Sequence, residues 1–257
     1  MQPLIFMHIP KCGGTTLTSI LTEAVPEDRR FSVDGRNIAG SRNELAGLSE
    51  TERERIELLL GHLCYGWHEL LAPRRARYFT IVREPVSRVV SHFDFVRSHE
   101  NHYLHSAVVS GKMTVADYVE SGITTEVNDG QVRQISGVED IAQAPYGPSV
   151  VGYGEDHSAL LEEAWTNIER DFLLVGLLER FDETLQRLRR MTGLRIGTYR
   201  EKNVVRPTDA SRPTPNEADV IRRYNRQDRE LYNRCKEAFE HGGGPAGRFR
   251  RLLTRRS

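Results

Sequence analysis

The sequence predicts an α/β fold, a P-loop-like parallel β-sheet flanked by helices on both faces. Short apolar runs alternate with amphipathic stretches along most of the chain, and this alternation is typical of parallel strands that are joined by helices. Two of the apolar runs end in a turn that contains glycine or proline and leads directly into an amphipathic stretch. Because no linker or internal repeat interrupts the 257 residues, we expect a single domain over residues 1–257 with a basic tail at 245–257.

Each element is predicted from the spacing of its apolar residues. Short continuous apolar runs predict buried strands at residues 4–9, 56–60, 78–82 and 172–178. Apolar residues that recur every three or four positions predict helices, which we expect after residues 14, 49 and 85, at 113–121, 157–168 and 182–192, and from 214 to the glycines at 242–244. Residues 26–48 are polar and are expected to form a surface excursion. In the last helix, Tyr224 and Asp228 are one turn apart and are expected to share a buried hydrogen bond.

Composition argues against several classes of partner. Lysine plus arginine and aspartate plus glutamate number 36 each, so no overall field draws the chain to nucleic acid, and any anion site has to be local. Three cysteines without metal-like or disulfide-like spacing favour a reducing compartment. With neither a signal peptide nor an apolar run long enough to span a membrane, we expect a cytoplasmic protein. The basic tail is expected to fray, or at most to make weak peripheral contact with a membrane surface.

A glycine-rich turn follows the first predicted strand and leads into the first predicted helix. In that geometry several backbone amides and the positive end of the helix dipole point to one place. Glycines allow the backbone to close around an anion, a lysine adds full charge, and threonine hydroxyls add donors. The turn is therefore predicted to bind an anion through Lys11, Cys12, Gly13, Gly14, Thr15 and Thr16.

A second polar cluster follows the third predicted strand. Arg83 stands at the carboxyl end of that strand, where open α/β sheets bind their ligands. Its planar guanidinium suits bidentate contact with a phosphate. Ser91 lies two turns along the following helix, on the side of Ser87. Alone, Arg83 is explained by an ion pair with Glu84, but together with the first turn it forms a second phosphate-binding element at a neighbouring strand end.

These two elements resemble the binding elements for 3'-phosphoadenosine 5'-phosphosulfate (PAPS) in the sulfotransferase family. The resemblance is carried by HIPKCGGTTL at residues 8–17 and VREPVSRVVS at residues 82–91. Both are most similar to the branch that includes heparan sulfate 2-O- and 6-O-sulfotransferases and many bacterial relatives. Cys12 departs from the pattern, since relatives more often have threonine, serine or alanine at that position.

The resemblance implies both the reaction and the roles of residues. The first element would hold the 5'-phosphosulfate, and Arg83 and Ser91 would hold the 3'-phosphate. Lys11 would stabilise the bridging oxygen as it leaves, so that no metal is required and 3',5'-adenosine bisphosphate is the product. Asn203 lies in a loop that is expected to close over the adenosine. The acceptor is expected to be a hydroxyl, on a carbohydrate by the branch resembled, with no nucleic acid as partner.

The general base is expected to be a histidine, and the sequence leaves two. His62 follows the second predicted strand directly after Gly61, and the resemblance implies a catalytic histidine at this Gly-His position. His68, six residues later, is the alternative. Imidazole is suited to the role because its pKa lies near neutral pH. His8 is expected to pack within the first strand, and Arg133 is expected to be a solvated helix arginine.

Two other functions share a strand–turn–helix anion site. A P-loop kinase or NTPase needs a lysine after the glycines and a magnesium-holding aspartate, and here the lysine precedes the glycines. A non-catalytic nucleotide-binding protein would have the anion site without a base beside it. Both alternatives are separated from a sulfotransferase by the nucleotide that the protein binds.

Overall fold

The computed structural model describes residues 2–138, 152–197 and 212–241. These ranges contain five strands and eleven α-helices. The strands are β1 (Leu4–Met7), β2 (Arg30–Ser32), β3 (Leu58–Gly61), β4 (Arg77–Val82) and β5 (Phe172–Leu177). The helices are α1 (Gly14–Ala24), α2 (Ile38–Gly47), α3 (Glu50–Arg55), α4 (Pro85–Ser98), α5 (His105–Ser110), α6 (Val115–Glu120), α7 (Gly130–Ser136), α8 (Ser158–Asp171), α9 (Phe181–Thr192), α10 (Pro215–Tyr224) and α11 (Arg226–Glu240).

The strands form one parallel sheet in the order β2-β3-β1-β4-β5. β1 is central, with Leu4 paired to Leu58 of β3 on one side and to Arg77 of β4 on the other. All five residues from Tyr78 to Val82 are buried. Because successive side chains of a strand point to opposite faces, both faces of the sheet are covered. The structure thus confirms the predicted α/β class.

Two apolar clusters stabilise the arrangement. The larger surrounds the sheet and includes Phe6, Phe79 and Phe172, each at most 1% exposed. The smaller joins α4, α6 and α10 and includes Tyr118 and Ile221, both 0% exposed. A fully buried side chain of this size contributes about 1.5–3 kcal/mol, so the second cluster holds α4 firmly against its neighbours.

The strand order reverses between β1 and β4. The chain leaves β1 toward β2 and β3 on one side, and it leaves β4 toward β5 on the other. In open α/β sheets the crevice outside the carboxyl ends of such a strand pair is the usual ligand site. The glycine-rich turn follows β1 and Arg83 follows β4, so the two predicted phosphate elements flank this crevice.

Two predicted elements differ from the structure. Residues 26–48 contain β2 and α2, because a three-residue edge strand is too short to show an alternation. The last predicted helix is two helices, α10 and α11, which are separated at Asn225. The side-chain amide of Asn225 donates to the carbonyls of Val127 (2.8 Å) and Ile221 (3.0 Å). The prediction of one helix was wrong because the apolar stripe continues across this break.

Four predictions concern features that the described residues do not decide. Asn203 and the basic tail at 245–257 lie outside the described residues. Across the described ranges, no helix combines the length and apolarity that crossing a membrane requires. The single domain and the cytoplasmic location stay predictions.

Candidate active site

The turn after β1 is tightly wound. Lys11 and Gly13 have φ of 67° and 79°, which is the left-handed region. A Cβ on Gly13 would lie 2.6 Å from Cδ1 of Leu178, and a Cβ on Gly14 would lie 1.9 Å from Cδ2 of His8. Left-handed backbone costs a residue with a Cβ about 1–2 kcal/mol, so Lys11 is held there by its surroundings. At positions 13 and 14, no side chain larger than that of glycine fits without displacing a neighbour.

The amino end of α1 points out of this turn. The amide of Leu17 donates to the carbonyl of Gly13 at 3.2 Å, which is the first i→i−4 bond of the helix. The amides of Gly14 and Thr15 come before it and have no intrahelical acceptor. Thr15 is exposed and Thr16 is buried. The turn therefore has the amide geometry of an anion site.

Lys11 lies against an aromatic ring from α4. Its Nζ is 4.0 Å from the ring centroid of Phe95, a cation–π contact. Burial and the charge of Arg83 lower the pKa of Lys11 to about 8, although Glu126 and Asp94 raise it. An ammonium that has lost much of its water is a strong partner for an anion, because the low dielectric strengthens their attraction.

Arg83 is joined to the turn by a glutamine from α7. The side-chain oxygen of Gln131 accepts from the Arg83 amide at 2.9 Å, and its nitrogen donates to the Arg83 carbonyl at 3.1 Å. The same oxygen accepts from the Cys12 thiol at 3.6 Å. The guanidinium of Arg83 in turn donates to the Lys11 carbonyl at 3.1 Å. The structure thus brings the two predicted phosphate elements together.

Cys12 faces inward. Its side chain is 2% exposed, and burial raises the pKa of the thiol to about 12. A protonated, buried thiol has little nucleophilic character, so only the backbone of Cys12 is placed to contact a ligand.

Ser91 lies on the side of α4 that faces the turn. It stands one helical turn before Phe95, and residues four apart share a helix face. The carboxylate of Glu84 caps this helix by accepting from the amides of Val86 (3.1 Å) and Ser87 (2.8 Å).

His62 follows β3 and stacks on His8, with ring centroids 4.1 Å apart. Its Nδ1 lies 3.1 Å from the His8 carbonyl. Because a carbonyl only accepts, this bond assigns the proton to Nδ1 and leaves the lone pair on Nε2. The side chain of Gln134 also donates to the His8 carbonyl (3.1 Å) and to that of Leu63 (2.8 Å). Burial lowers the pKa of His62, while the charge of Glu126 and the bond to His8 raise it.

His68 lies elsewhere. Its Nδ1 is 3.1 Å from the hydroxyl of Tyr78, and its ring is 4.9 Å from that of Tyr65. Tyr78 is the second residue of β4, whereas Arg83 follows the other end. Four residues of extended chain separate Tyr78 from Val82 by about 13 Å. The structure therefore brings His62 to the crevice with Lys11 and places His68 toward the opposite end of the sheet.

Sequence reasoning missed the contribution of α7, in which three of the six buried residues are polar. The carboxylate of Asp228 accepts from the amides of Gln131 (3.2 Å) and Val132 (2.8 Å) at the start of this helix, and it lies 3.4 Å from the guanidinium of Arg88. The predicted bond between Asp228 and Tyr224 was wrong, because Asn225 separates their helices. The run Asn-Asp-Gly at 128–130 could have signalled a helix start here.

Arg133 was also misjudged. It is 0% exposed, and it donates to the Asn128 carbonyl at 2.8 Å and to Nε2 of His157 at 2.9 Å. His157 donates from Nδ1 to the carboxylate of Asp129 at 2.8 Å. Arg133 is therefore a structural arginine that fixes the segment before α7, and the prediction of a solvated side chain was wrong.

Aromatic rings continue outward from Lys11. The ring of Phe95 lies 3.9 Å from that of His99 and 5.7 Å from that of His102, by centroids. His102 stacks on Tyr103 at 4.6 Å, and Tyr103 is 49% exposed. This path connects the crevice with the surface. Across the described ranges, no group of three or more His, Cys, Asp and Glu side chains is arranged to hold a metal ion.

The chain is similar to known proteins in sequence and in fold. The model of the sulfotransferase family matches residues 1–240. Heparan sulfate 2-O-sulfotransferase hst-2 of Caenorhabditis elegans is 27% identical over 108 residues, which cover 38% of this chain and 33% of that protein. The crystal structure of mouse sulfotransferase SULT7A1 complexed with PAP matches with a TM-score of 0.45 at 14% identity, over 87% of this chain and 63% of that one.

The curated relative is thus matched over only about a third of its length, so its acceptor is not transferred to this chain by similarity alone. The family match is different in kind, because it extends from the first strand to the last described helix. It includes both predicted phosphate elements and the segments that hold them together. The chain belongs to the sulfotransferase family.

Proposed function

We propose that this protein transfers the sulfuryl group of PAPS to an acceptor hydroxyl, with a carbohydrate as the acceptor. One observation carries the proposal. The glycine-rich turn with Lys11, the strand-end Arg83 and a histidine with an available Nε2 lie around one crevice. Family membership supports sulfuryl transfer, and the name of the curated relative, a heparan sulfate sulfotransferase, supports a carbohydrate acceptor.

The residues present fit a nucleotide that carries phosphates at two positions. The amides of Gly14 and Thr15 and the desolvated ammonium of Lys11 would hold the 5'-phosphosulfate, with Gly13 and the Thr16 position completing the turn. Arg83 and Ser91 would hold the 3'-phosphate. Cys12 would take part through its backbone alone, since its thiol is bonded to Gln131. When bound, PAPS supplies a sulfuryl group for in-line displacement, and its remainder leaves as 3',5'-adenosine bisphosphate.

The protein's own side chains would then transfer one proton and stabilise the negative charge that develops. His62 takes the proton of the acceptor hydroxyl at Nε2, while its Nδ1–H stays on the His8 carbonyl, which fixes the ring. Lys11 places positive charge where the leaving oxygen becomes negative, and such preorganised charge is a large contribution to catalysis in a site of low dielectric. We assign the base to His62 rather than His68, because the ring of His68 is engaged at the far end of β4.

The acceptor is proposed to enter along the rings that lead outward from Lys11. Phe95, His102 and Tyr103 offer flat ring surfaces of the kind that line ligand clefts beside a few polar groups. A sugar ring stacked there would present a hydroxyl toward His62. Acceptors can be compared by incubating the protein with radiolabelled PAPS and a panel of sugars, phenols and peptides.

Thermal shift measurements test the donor. The protein is expected to be stabilised by 3',5'-adenosine bisphosphate more than by ATP with magnesium, and Arg83→Ala should remove most of that difference. Arg75→Ala is a matched control, because Arg75 is an exposed arginine before β4. Stabilisation by ATP that depends on magnesium, without an effect of the bisphosphate, would instead support a P-loop kinase. No effect of either nucleotide would overturn the proposal.

A further inference from the structure

A buried carboxylate–imidazole pair, Glu126 and His92, lies near the two side chains that we assign to the reaction. Oε2 of Glu126 is 2.6 Å from Nε2 of His92, and the two side chains are 14% and 3% exposed. The other ring nitrogen of His92 lies 3.0 Å from the hydroxyl of Tyr118. A carboxylate buried against an imidazole that is itself supported by a tyrosine hydroxyl is fixed in place.

The backbone holds Glu126 in this position from two directions. Glu126 belongs to a 3-10 turn at Thr125–Val127, directly before α7. Its carbonyl accepts from the guanidinium of Arg88, and its amide donates to Oγ1 of Thr124 at 3.3 Å. Arg88 and His92 are consecutive turns of α4, and Phe95, which contacts Lys11, follows His92 by three residues. The same helix therefore positions the carboxylate–imidazole pair and the lysine.

Cations and imidazoles surround the carboxylate. His92 and Arg88 face it from α4, His62 from the end of β3, Lys11 from the glycine-rich turn and His102 from the segment after α4. Burial alone would raise the pKa of Glu126, but these neighbours, His92 first, lower it to about 2. Its charge raises the pKa of both Lys11 and His62. Glu126 thus stays ionised across the working pH range and acts on both groups.

We propose that Glu126 is a positioning residue for sulfuryl transfer. Its negative charge is held in place by His92, which Tyr118 supports in turn, and it stabilises the charged forms of both Lys11 and His62. This inference rests on the function proposed above. When His62 accepts the hydroxyl proton, an imidazolium forms in a crevice that already contains the ammonium of Lys11. Two cations at close range repel strongly in a site of low dielectric. The carboxylate offsets that repulsion without accepting a proton, as the aspartate of a serine-protease triad does for its histidine.

The variant Glu126→Gln tests this, because it keeps the shape of the side chain and removes the charge. Activity should rise with pH as His62 loses its proton and fall at higher pH as Lys11 loses its proton. These are the acid limb and the alkaline limb of the pH profile. Both limbs should move to lower pH in Glu126→Gln, since both groups lose the charge that raises their pKa. We expect kcat to fall about tenfold, the usual scale for loss of a charge-assisted partner. Glu100→Gln, at an exposed position after α4, should leave the profile unchanged.

A second variant is expected to move the two limbs in the opposite direction. His92→Asn removes the imidazole that lies 2.6 Å from the carboxylate of Glu126 and leaves the carboxylate, whose charge is then less offset by a neighbour, so both limbs should move to higher pH. A purely structural role predicts lower thermal stability in either variant without any movement of the limbs. If Glu126→Gln does not fold, a downward or absent shift in His92→Asn overturns the proposal. Limbs that stay in place in both variants overturn it as well.

Nuclear magnetic resonance provides a readout that does not need activity. The titration midpoint of the His62 ring should decrease in Glu126→Gln and increase in His92→Asn. A protein that shows these changes but transfers no sulfuryl group would refute the proposed function and leave the charge coupling in place. An active protein whose His62 midpoint is the same in all variants would refute the role of Glu126 alone.

Discussion

Replacing Lys11 with arginine should remove the decline of activity at alkaline pH. Burial and Arg83 lower the pKa of Lys11 to about 8, so the ammonium loses its proton as the pH rises through that value. In the proposed mechanism, only the charged form attracts the sulfonate and stabilises the leaving oxygen. A guanidinium stays protonated at every accessible pH. The variant therefore separates the charge of this side chain from its titration.

The size of the effect follows from the pKa. At one pH unit above 8, about a tenth of the wild-type protein carries the ammonium, so kcat/KM should be about tenfold below its plateau. The alkaline limb of the kcat profile should lie at higher pH than the alkaline limb of the kcat/KM profile, because a bound anion favours the protonated form of Lys11. In Lys11→Arg the plateau will be lower, since a planar fork replaces a compact ammonium, but it should extend past pH 9.

The assay is transfer from radiolabelled PAPS measured across the pH range for both proteins. Lysine and arginine both carry a Cβ, so the left-handed backbone at this position costs both residues alike. Lys112→Arg is the matched control, because Lys112 is an exposed lysine that also has a positive φ, 48°. An alkaline limb that persists unchanged in Lys11→Arg would assign it to another group and refute the reasoning.

Three further predictions concern the donor site and the base. Arg83→Ala should weaken binding of 3'-phosphorylated nucleotides about tenfold or more, the equivalent of about 1.5–3 kcal/mol, and Ser91→Ala should do so to a smaller extent, by calorimetry. His62→Ala should lower kcat about 10²-fold with the Kd for PAPS nearly unchanged, and it should lose the acid limb. His68→Ala should lower Tm and leave kcat nearly unchanged, since its ring packs at the far end of β4. Gly14→Ala should cost about 1–3 kcal/mol of stability and weaken bisphosphate binding, because its methyl group would overlap the imidazole beneath it.

Each of these has a contrary result. Equal losses of affinity for adenosine 5'-phosphosulfate and for the bisphosphate would remove Arg83 from the 3'-phosphate. Loss of the acid limb in His68→Ala but not in His62→Ala would exchange the two histidines. Normal bisphosphate affinity in Gly14→Ala would show that the turn tolerates a side chain that the structure excludes.

The sequence was most informative where a strand runs directly into the site. β1, β3 and β4 are continuous apolar runs, and each ends at a residue that changes the backbone direction or begins a helix. Their order along the chain and the need to cover both faces lead to a parallel sheet, which places Lys11, His62 and Arg83 at one edge. The placement of these three residues at one edge of the sheet could therefore be predicted without coordinates.

The rest of the site depends on contacts that have no local pattern. Gln131 and Gln134 are buried polar residues whose partners are backbone groups far away in the sequence. Glu126 resembles any acidic residue of a loop until His92 is seen beside it. Asn225 interrupts a stripe of apolar residues that looks continuous. Hydrophobic periodicity reports burial of apolar groups, so it cannot reveal a region that is held by buried hydrogen bonds.

The bonds of Asp228 have a consequence for how the protein is made. They close loops of 97 residues to Gln131 and 140 residues to Arg88. Contacts of such long range form late, because the entropy of the intervening chain has to be lost first. On the ribosome, all five described strands emerge before residue 228. The sheet can therefore assemble while Arg88 still lacks its partner, the carboxylate of Asp228. The amino end of α7, and with it Gln131, is fixed only after α11 docks, so the crevice is finished only once the chain has emerged as far as α11.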